Sequence, residues 1–385
     1  MFISVNTHLF RPGSPLHLAD ECYGVAMDHE ALRRAVELSS PPKPKQPRPI
    51  VILGAGGIVS AAHLPAYAKA GFPVVAIADV SPGKSAAVAR RFGIPHSFDT
   101  IPETLRFAPA DAIFDVAVPA SAIVGILPQL PRGAAVLIQK PMGETLDEAT
   151  AIRNLCREHH LVAAVNFQLR YAPNNLGAVA LARAGVLGEL HDLEVQVRTY
   201  TPWQLWTFLA KAPRLEILYH SIHYLDLIRS WMGNPTSIYA KTVRNLQCGE
   251  LAPTKTSMIL DYGDWKRVFV VTNHGHEFPK TQQSFVQFEG TGGAIRMQLG
   301  VNLDYPKGKP DTLEYALRGE GEWHDLPANG NWFPDAFIGS MGALQSYLEG
   351  TDNELPTSFE SAYETMALVE AAYRSSEAGG EKIRL

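Results

Sequence analysis

The 385-residue chain contains only three cysteines, Cys22, Cys156 and Cys248, and they lie far apart. An odd, widely spaced set provides neither a disulfide framework nor a CxxC metal site. Cysteine usage of this kind is typical of a reducing compartment, so we expect a cytoplasmic protein.

Charged residues and long apolar runs are also scarce. Charged side chains make up 19% of the chain and the formal net charge is −5, so the basic footprint of a nucleic-acid or membrane-surface binder is missing. No uninterrupted run of about eighteen apolar residues occurs, which excludes an ordinary transmembrane helix. The N-terminus also lacks the basic and apolar regions of a secretion signal. We therefore expect neither nucleic acid nor membrane as a partner.

The length exceeds what one hydrophobic core usually serves, so two domains and an extension are expected. The extension covers residues 1–47. Asp28 is a helix N-cap residue, and it opens a helix predicted to end near Leu38. A stiff, proline-rich linker follows over residues 41–47. The extension could be an arm that covers the cofactor cleft or clasps a neighbouring subunit, or a floppy tail on a tether.

Residues 50–79 have the layout of a dinucleotide-binding βαβ unit. An apolar run leads into the loop Gly54-Ala55-Gly56-Gly57-Ile58, and a second apolar run ends at Asp79. Such glycines let the backbone turn tightly and approach a pyrophosphate at the N-terminus of the next helix. The acidic residue then lies where it binds a ribose 2′-hydroxyl. Val59 replaces the third glycine of the usual motif, and an ordinary turn that uses glycine for its backbone freedom is the alternative.

Asp79 also bears on which nicotinamide cofactor is used. A carboxylate repels a 2′-phosphate, and no arginine directly follows Asp79, which favours NAD over NADP. Lys84, Arg90 and Arg91 lie in the next predicted helix. They weaken the preference for NAD because cationic side chains could bind a phosphate.

The alternation of strands and helices continues beyond Asp79 and predicts a parallel sheet. Its buried strands include residues 112–118 and 134–138, and the second of these runs into Gln139-Lys140-Pro141. A lysine at the carboxyl end of a parallel strand points into the crevice where such sheets hold ligands. Without further context, a solvated strand end is the more usual place for such a lysine.

Motifs spread over residues 48–380 resemble those of the Gfo/Idh/MocA family of sugar and polyol dehydrogenases. They are the glycine loop with His63-Leu64-Pro65, Lys140-Pro141, and residues 166–170, 185–189, 223–226, 289–293 and 368–375. The resemblance implies an α/β chain with an N-terminal Rossmann domain, a doubly wound parallel sheet, over residues 48–165. It also implies a C-terminal α+β domain over residues 166–385 with a large, mostly antiparallel sheet.

The local sequence supports that second sheet independently, because strand-like runs are separated by turn residues. These runs are residues 190–200, 236–245, 256–262, 266–273, 283–289 and 293–299. Long helical patterns are scarce between them.

The helix predicted around His223 carries the family pattern Asp-x-Gly-x-His-x-x-Asp in altered form. His223 and Asp226 match it, whereas Tyr219 and Ser221 replace the first aspartate and the glycine. The resemblance implies that His223 is the general base for the reacting hydroxyl and that Lys140 stabilises its oxygen. Tyr219 would orient the substrate or His223, but it does not supply the negative charge of an aspartate.

Gln139 replaces the family's glutamate beside Lys140, which removes a charge but keeps an acceptor oxygen. The expected cofactor contacts are Gly54, Gly56, Gly57, Ile58, Asp79, Pro119, Gln139 and Lys140. The expected substrate contacts are Lys140, Arg170, Trp203, Trp206, His220 and His223. Aromatic faces suit a sugar ring, although Trp203 and Trp206 could equally be core or subunit-interface residues.

Two segments contain side chains that could bind a metal. Glu216 and His220 have i, i+4 spacing with His223 as a third ligand, and they could equally be hydrogen-bonded core residues. Residues 272–277 read Thr-Asn-His-Gly-His-Glu, for which a solvated loop is the ordinary explanation. The helix has no HExxH motif and the family it resembles is not usually metal-dependent, so we expect no metal.

These patterns predict an NAD-dependent oxidoreductase that acts on a secondary hydroxyl of a sugar, polyol, sugar acid or glycoside. The sheet-rich second domain and the habit of the family predict a homodimer or homotetramer. In one alternative, tightly bound NAD is recycled in an isomerisation, a glycoside cleavage or a sugar–sugar oxidoreduction, which the changes at positions 139 and 219 keep open. The other alternative is a non-catalytic sensor of nucleotide and sugar, and the retention of Lys140 and His223 argues against it.

Overall fold

The structure is a computed structural model that describes residues 27–385. Predictions for residues 1–26 of the extension lie outside the described part of the chain. Within that part, two sheets and the helices packed on them hold most of the core. None of the helices of residues 27–385 is both long and apolar enough to cross a membrane.

The helix predicted in the extension is present and packs on the rest of the chain. It is α1 (His29–Glu37), and the Asp28 side chain caps its N-terminus. Val36 is buried against Gly177, where an added Cβ atom would lie 3.1 Å from a Val36 methyl group. The small residue at position 177 therefore allows α1 to approach closely.

The linker after α1 is bound to the chain through backbone hydrogen bonds. The N–H groups of Lys45 and Gln46 each donate to the Glu349 carboxylate at 2.9 Å. Arg48 N–H donates to Gln345 Oε1 at 2.8 Å. The described part of the extension is thus docked rather than floppy.

The first sheet is parallel and contains six strands. They are β1 (Ile50–Leu53), β2 (Val74–Ala78), β3 (His96–Phe98), β4 (Ile113–Val116), β5 (Ala135–Ile138) and β6 (Val162–Val165). Their order is β3-β2-β1-β4-β5-β6, so β1 lies between β2 and β4 and the strand order reverses there. Doubly wound sheets bind ligands at such a point. The predicted Rossmann sheet is confirmed, and β6 has no counterpart among the predicted strands.

Helices enclose this sheet, which explains why its strands are apolar along their length. β1, β4 and β5 are buried at every residue, as expected for a parallel sheet that is covered on both faces. The helices between its strands are α2 (Leu64–Ala70), α3 (Lys84–Phe92), α4 (Ile101–Phe107), α5 (Ile123–Ile126) and α6 (Leu146–Glu158).

The second sheet contains nine strands. They are β7 (Leu190–Arg198), β8 (Ser237–Val243), β9 (Lys255–Asp261), β10 (Arg267–Asn273), β11 (Gln283–Gly290), β12 (Gly293–Gln298), β13 (Thr312–Leu317), β14 (His324–Leu326) and β15 (Ile383–Arg384). Their order is β14-β13-β12-β11-β7-β10-β9-β8-β15, and the pairing is antiparallel except between β7 and β10. The large, mostly antiparallel sheet is confirmed with all six predicted strands, whereas β13, β14 and β15 have no counterpart in the prediction.

One face of the second sheet packs on helices. In β9 the buried residues alternate with exposed ones, which is typical of a sheet with a single covered face. The covering helices include α7 (Pro173–Arg183) and α10 (Phe359–Glu377), and α8 (Ile222–Met232) packs beside α10.

The remaining helix, α9 (Trp332–Glu349), follows the second sheet in sequence but returns to the first sheet. Phe337, Met341 and Leu344 share a buried cluster with Ile52 of β1. The domain boundary at residues 165 and 166 stays a prediction, and α9 contributes to the core beside the N-terminal sheet.

Candidate active site

A cavity of about 880 Å³ lies at the carboxyl ends of the parallel strands. Residues that follow β1, β2, β4 and β5 line one side, and residues of the C-terminal half line the other. The predicted site residues among them are Gly54, Gly56, Gly57, Ile58, Asp79, Pro119, Gln139, Lys140, Trp206, Tyr219, His220 and His223. Arg170 and Trp203 lie outside this lining.

The glycines of the loop after β1 have two different reasons to be glycine. Gly54 has a φ of 110°, and an added Cβ atom would lie 2.2 Å from the Ala117 carbonyl oxygen, so the fold itself excludes a side chain. At Gly56 and Gly57 an added Cβ atom would meet nothing within 4 Å. Because both line the cavity, their missing side chains leave room for a phosphate against the backbone.

Asp79 directly follows β2 and binds the glycine loop. Its Oδ2 atom accepts hydrogen bonds from Ala55 N–H at 2.8 Å and from Lys84 Nζ at 2.9 Å, and its Oδ1 atom accepts from Ser81 N–H at 2.9 Å. Burial raises the pKa of Asp79, but these hydrogen bonds outweigh it and hold the pKa below its ordinary value. The cavity therefore has an ionised carboxylate where the βαβ layout positions a ribose.

Lys140 follows β5 and is joined to Pro141 by a cis peptide bond. Its Nζ atom donates a hydrogen bond of 2.8 Å to the Tyr219 carbonyl oxygen. Burial lowers the pKa of Lys140 to about 8. The side chain is therefore an ammonium at neutral pH. It loses its proton at a pH only slightly above neutral.

A buried polar network holds Gln139. Its Oε1 atom accepts a hydrogen bond of 3.0 Å from Asn166 Nδ2, and the same amide lies 3.5 Å from His63 Nε2. His63 Nδ1 lies 2.7 Å from Asp115 Oδ2. All four side chains are buried. Gln139 thus uses the acceptor oxygen that the sequence predicts. The motifs that contain His63 and Asn166 do not predict this contact, because it depends on the fold.

The segment that carries His223 is helical as predicted, but its first part is a π-helix. The π-helix spans Ile217–Ser221, and α8 continues from Ile222. Such π-turns occur frequently at functional sites. The Tyr219 hydroxyl donates to Glu144 Oε1 at 3.1 Å, so the loop after Pro141 supplies a carboxylate beside the tyrosine that replaces the family's aspartate.

His220 and His223 both line the cavity as neutral imidazoles. Burial and the charge of Lys140 lower the pKa of His223 well below its ordinary value. Burial lowers the pKa of His220 in the same way, with further contributions from His274, Lys140 and His223. Nδ1 of His223 has no hydrogen-bond partner among the described residues. A neutral imidazole can accept a proton.

Arg170 and Asp226 form a bidentate ion pair away from the cavity lining. Arg170 Nε and Nη2 donate to Asp226 Oδ2 and Oδ1 at 2.6 and 2.7 Å. The Thr365 hydroxyl also donates to this carboxylate at 3.1 Å. The charges of Arg170 and Asp226 thus neutralise each other within the fold. Arg170, which is expected to contact substrate, therefore lies in an ion pair outside the cavity lining.

The two tryptophans differ in position. Trp206 lines the cavity, whereas Trp203 is 8% exposed and packs behind it, edge-on to His220 with 5.0 Å between ring centroids. The structure thus places Trp206 in the lining and Trp203 in the packing behind it, as the core alternative describes. Three further aromatic residues, which no sequence motif indicates, also line the cavity. They are Tyr305, Trp332 and Phe333.

Glu216 and His274 come from the two segments considered for metal binding, and they meet as a buried pair. His274 Nε2 lies 3.5 Å from Glu216 Oε1, and His274 Nδ1 lies 2.9 Å from Thr201 Oγ1. Burial raises the pKa of Glu216, but His274 and the hydroxyls of Ser221 and Thr256 lower it below its ordinary value. The carboxylate is therefore ionised.

The described residues do not assemble the metal ligands considered from the sequence. In residues 27–385, the three side chains of ligating type that lie close enough to share one ion are His29, Glu320 and His324, on the surface. Glu216, His220 and His223 do not form such a group.

Comparison with known families agrees with this architecture. The profile of an oxidoreductase family with an NAD-binding Rossmann fold matches residues 48–167, and the profile of the C-terminal alpha/beta domain of that family matches residues 180–385. The chain belongs to the Gfo/Idh/MocA family of oxidoreductases. It contains both domains of the family and adds the extension before them.

Two curated relatives and one solved structure illustrate the family. D-apiose dehydrogenase from Rhizobium rhizogenes is 25% identical over 333 residues, which cover 80% of this chain and 89% of that protein. D-xylose 1-dehydrogenase (NADP(+)) 2 from Haloferax volcanii is 23% identical over 338 residues, which cover 85% and 97%. An oxidoreductase from Agrobacterium radiobacter, solved with NAD+, L-tartaric acid and magnesium, has a TM-score of 0.75 at 20% identity and covers 88% of this chain and 98% of its own.

Proposed function

We propose that this Gfo/Idh/MocA oxidoreductase is an NAD-dependent dehydrogenase that removes hydride from a secondary hydroxyl of a neutral sugar, polyol or glycoside. The observation that carries the proposal is that Lys140 and His223 line the same cavity as the glycine loop. Similarity to D-apiose and D-xylose dehydrogenases supports the substrate class.

The N-terminal side of the cavity suits the cofactor. Gly56 and Gly57 leave the backbone open to a pyrophosphate, and the ionised Asp79 accepts hydrogen bonds from a ribose hydroxyl. Pro119 lies after β4 and Gln139 lies after β5, and both would contact the nicotinamide end of the cofactor. Bound NAD would supply the hydride acceptor. NADP is the second choice. One relative is named as NADP-dependent, and Lys84 donates a hydrogen bond to Asp79 and so brings a positive charge to this end of the cavity.

Lys140 and His223 have different tasks at the reacting hydroxyl. An ammonium has three N–H donors, so the bond from Lys140 to the Tyr219 carbonyl leaves two for the substrate oxygen. These donors stabilise the negative charge that develops on the oxygen as hydride leaves. The neutral His223 ring accepts the hydroxyl proton. Tyr219 then acts as a positioning residue for Lys140 through its carbonyl group.

The charge of the cavity favours a neutral substrate over a sugar acid. Of the residues of the described C-terminal half that line it, none is Asp, Glu, Lys or Arg. Among the described residues that line the cavity, Lys140 is the one cation near the reacting centre, and Asp226 neutralises Arg170. A substrate carboxylate would therefore lose its hydration without gaining a second cationic partner, which is costly in a partly dry site.

The proposal is tested by following reduced-nicotinamide absorbance with NAD and, separately, NADP across aldoses, polyols, aldonic acids and glycosides. We expect reduction with neutral sugars or polyols and a loss of at least about a hundredfold in Lys140→Ala, because the variant lacks the donor to the reacting oxygen. Lys266→Ala is the matched control, since Lys266 is an exposed lysine outside the cavity.

Two results would favour one of the alternatives over the dehydrogenase. If the cofactor copurifies with the protein and a sugar is converted without net reduction of the cofactor, the alternative in which tightly bound NAD is recycled is indicated. Binding of NAD and sugar with no turnover, and with Lys140→Ala equal to the wild type, would indicate the sensor.

We further propose a cytoplasmic homo-oligomer. Cys156 and Cys248 are free thiols within the described residues, as a reducing compartment requires. The homodimer or homotetramer stays a prediction from the family, and light scattering of the purified full chain distinguishes the two.

A further inference from the structure

Two histidines and a glutamate meet on the surface where the extension packs beside the second sheet. His29 Nε2 lies 3.3 Å from Glu320 Oε1, and His324 Nε2 lies 3.1 Å from Glu320 Oε2. One ligand atom from each of the three side chains lies within 4.8 Å of the other two. All three residues are at least partly exposed, so an ion from solution can reach them. None of them lines the cavity, and the cluster is therefore separate from the candidate active site.

Regular secondary structure carries the two histidines. His29 begins α1, and the Asp28 side chain caps the N-terminus of that helix. His324 begins β14, where it pairs with Tyr315 of β13 in the antiparallel register. Glu320 lies in the loop between these two strands. Because His29 comes from the extension and the other two residues come from a hairpin of the second sheet, the cluster exists only while α1 is docked.

Tyr315 holds the His29 ring in an orientation that suits metal binding. The Tyr315 hydroxyl lies 2.5 Å from His29 Nδ1, and Tyr315 is only 1% exposed. Histidines that bind metals usually donate their second ring N–H to an oxygen, which fixes the ring. A metal on Nε2 leaves the proton on Nδ1, wherever that proton lies in the metal-free protein, and the phenol oxygen can accept it. The His324 ring also stacks on Tyr315, with 5.1 Å between ring centroids.

The donor atoms and their spacing indicate which ion fits. Two imidazole nitrogens and a carboxylate favour zinc over magnesium or calcium, which prefer oxygen ligands alone. Ligand atoms about 2.1 Å from a tetrahedral zinc ion lie about 3.4 Å from one another. Both distances from the histidines to Glu320 are close to this value, and small rotations of the exposed side chains complete the arrangement. Water takes the fourth position when a protein supplies three zinc ligands.

We propose that His29, Glu320 and His324 form a zinc site that fastens α1 of the extension to the hairpin of β13 and β14. When α1 undocks, the site loses one of its three ligands, so zinc binds the docked state more tightly. Bound zinc thereby shifts the equilibrium toward the docked state. The role of the ion is structural, and the site does not depend on the proposed function. The motifs around His223 predict no metal, and a surface site leaves that prediction unchanged.

The first test measures zinc binding by calorimetry on the full chain without an affinity tag, in an excess of magnesium. We expect one zinc ion per chain to bind at this site. His29→Ala and His324→Ala should each weaken that binding by at least about a hundredfold, because a ligand is lost. Tyr315→Phe keeps the packing of the ring and loses its oxygen, so it should weaken zinc binding by about tenfold. His96→Ala is the matched control, because His96 is an exposed histidine of β3 in the other sheet.

The second test measures whether zinc holds the extension in place. Amide hydrogen exchange in α1 is followed by mass spectrometry with and without zinc. At a zinc concentration about ten times the dissociation constant, local opening of α1 should become about tenfold rarer, and its exchange should slow by the same factor. His29→Ala should abolish this protection. Helix α3 provides the internal control, since it packs on the first sheet and its exchange should not respond to zinc.

Three results would overturn the inference. In the first, the variant with both His29→Ala and His324→Ala binds as much zinc, and as tightly, as the wild type. In the second, magnesium displaces the zinc, which would show that the imidazoles do not select the ion. In the third, zinc binds through Glu320 and His324 alone and leaves exchange in α1 unchanged. Circular dichroism of each variant checks that its fold is intact, so a lost signal is not attributed to unfolding.

Discussion

The Lys140 ammonium donates a 2.8 Å hydrogen bond to the carbonyl oxygen of Tyr219. Tyr219 stands where the family has an aspartate, yet it contacts the lysine through its backbone, and its hydroxyl binds Glu144. The contact that holds the lysine therefore does not depend on the identity of the side chain at position 219.

Tyr219→Phe should consequently retain most of the activity. The variant keeps the carbonyl group that binds Lys140 and loses the hydrogen bond to Glu144, so we expect kcat to fall by no more than about fivefold. Steady-state kinetics on the best substrate checks this, with Tyr347→Phe, a partly exposed tyrosine of α9, as control. A loss of a hundredfold or more would show that the hydroxyl itself acts on the substrate.

The pH profile of sugar oxidation should report the titration of Lys140. Its pKa of about 8 means that kcat/KM should decline as the pH rises through 8, because the ammonium that stabilises the reacting oxygen is lost. His223 adds no limb near neutrality, since its pKa lies well below the ordinary histidine value. Lys140→Arg keeps its charge and should move the decline to higher pH. A rate that rises through pH 8 instead would make Lys140 the base.

Gly54→Ala should reduce the stability of the protein, whereas Gly56→Ala should reduce its affinity for the cofactor. At Gly54, a φ of 110° and a Cβ atom 2.2 Å from the Ala117 oxygen should destabilise the protein by several kcal/mol, roughly 3 or more. At Gly56 the added methyl meets no protein atom within 4 Å, so stability should be unchanged while cofactor affinity falls about tenfold or more. Thermal unfolding and NAD calorimetry on both variants separate the two effects. A destabilised Gly56→Ala would contradict this division.

Lys84→Ala should sharpen the preference for NAD. Lys84 Nζ lies 2.9 Å from Asp79 Oδ2, where it offsets the carboxylate charge and can meet a 2′-phosphate. Its removal should lower kcat/KM for NADP by about tenfold and change that for NAD by less than about threefold. Arg90→Ala is the control, because Arg90 lies in the last turn of the same helix and outside the cavity lining. Equal losses with both cofactors would show that Lys84 does not discriminate between them.

Arg170→Ala should affect stability rather than substrate affinity. The substitution leaves the buried Asp226 carboxylate without its bidentate partner, which typically costs about 3 to 5 kcal/mol in the free energy of unfolding. Urea unfolding measures that loss, and the KM for sugar in the folded fraction should stay within about threefold. The double substitution Arg170→Met with Asp226→Leu should recover part of the stability. A raised KM with unchanged unfolding would restore Arg170 as a substrate contact.

The sequence predicts the features of this fold that arise from local order. The glycine loop, the strands on either side of it and Asp79 lie within one βαβ unit, so their spacing carries the prediction. The six strands found in advance in the second sheet have turn residues at both ends. β14 and β15 are missed because they contain only three and two residues.

The candidate site is only partly predictable for the same reason. Lys140 and His223 are identified through motifs, but the ion pair between Arg170 and Asp226 and the contact between Glu216 and His274 join segments that no local pattern relates. Trp203 and Trp206 look alike in sequence, and only the packing behind His220 distinguishes them.

Helix α9 also determines when the N-terminal domain can complete its core during synthesis of the chain. Its residues Phe337, Met341 and Leu344 fill the core against which β1 packs. While the second sheet is still emerging from the ribosome, the six parallel strands and the helices between them are already complete, but the apolar surface that α9 covers is still exposed. Unlike the usual N-terminal domain, which folds first, this one closes near the end of translation, and its unfinished core must be kept from aggregation until then.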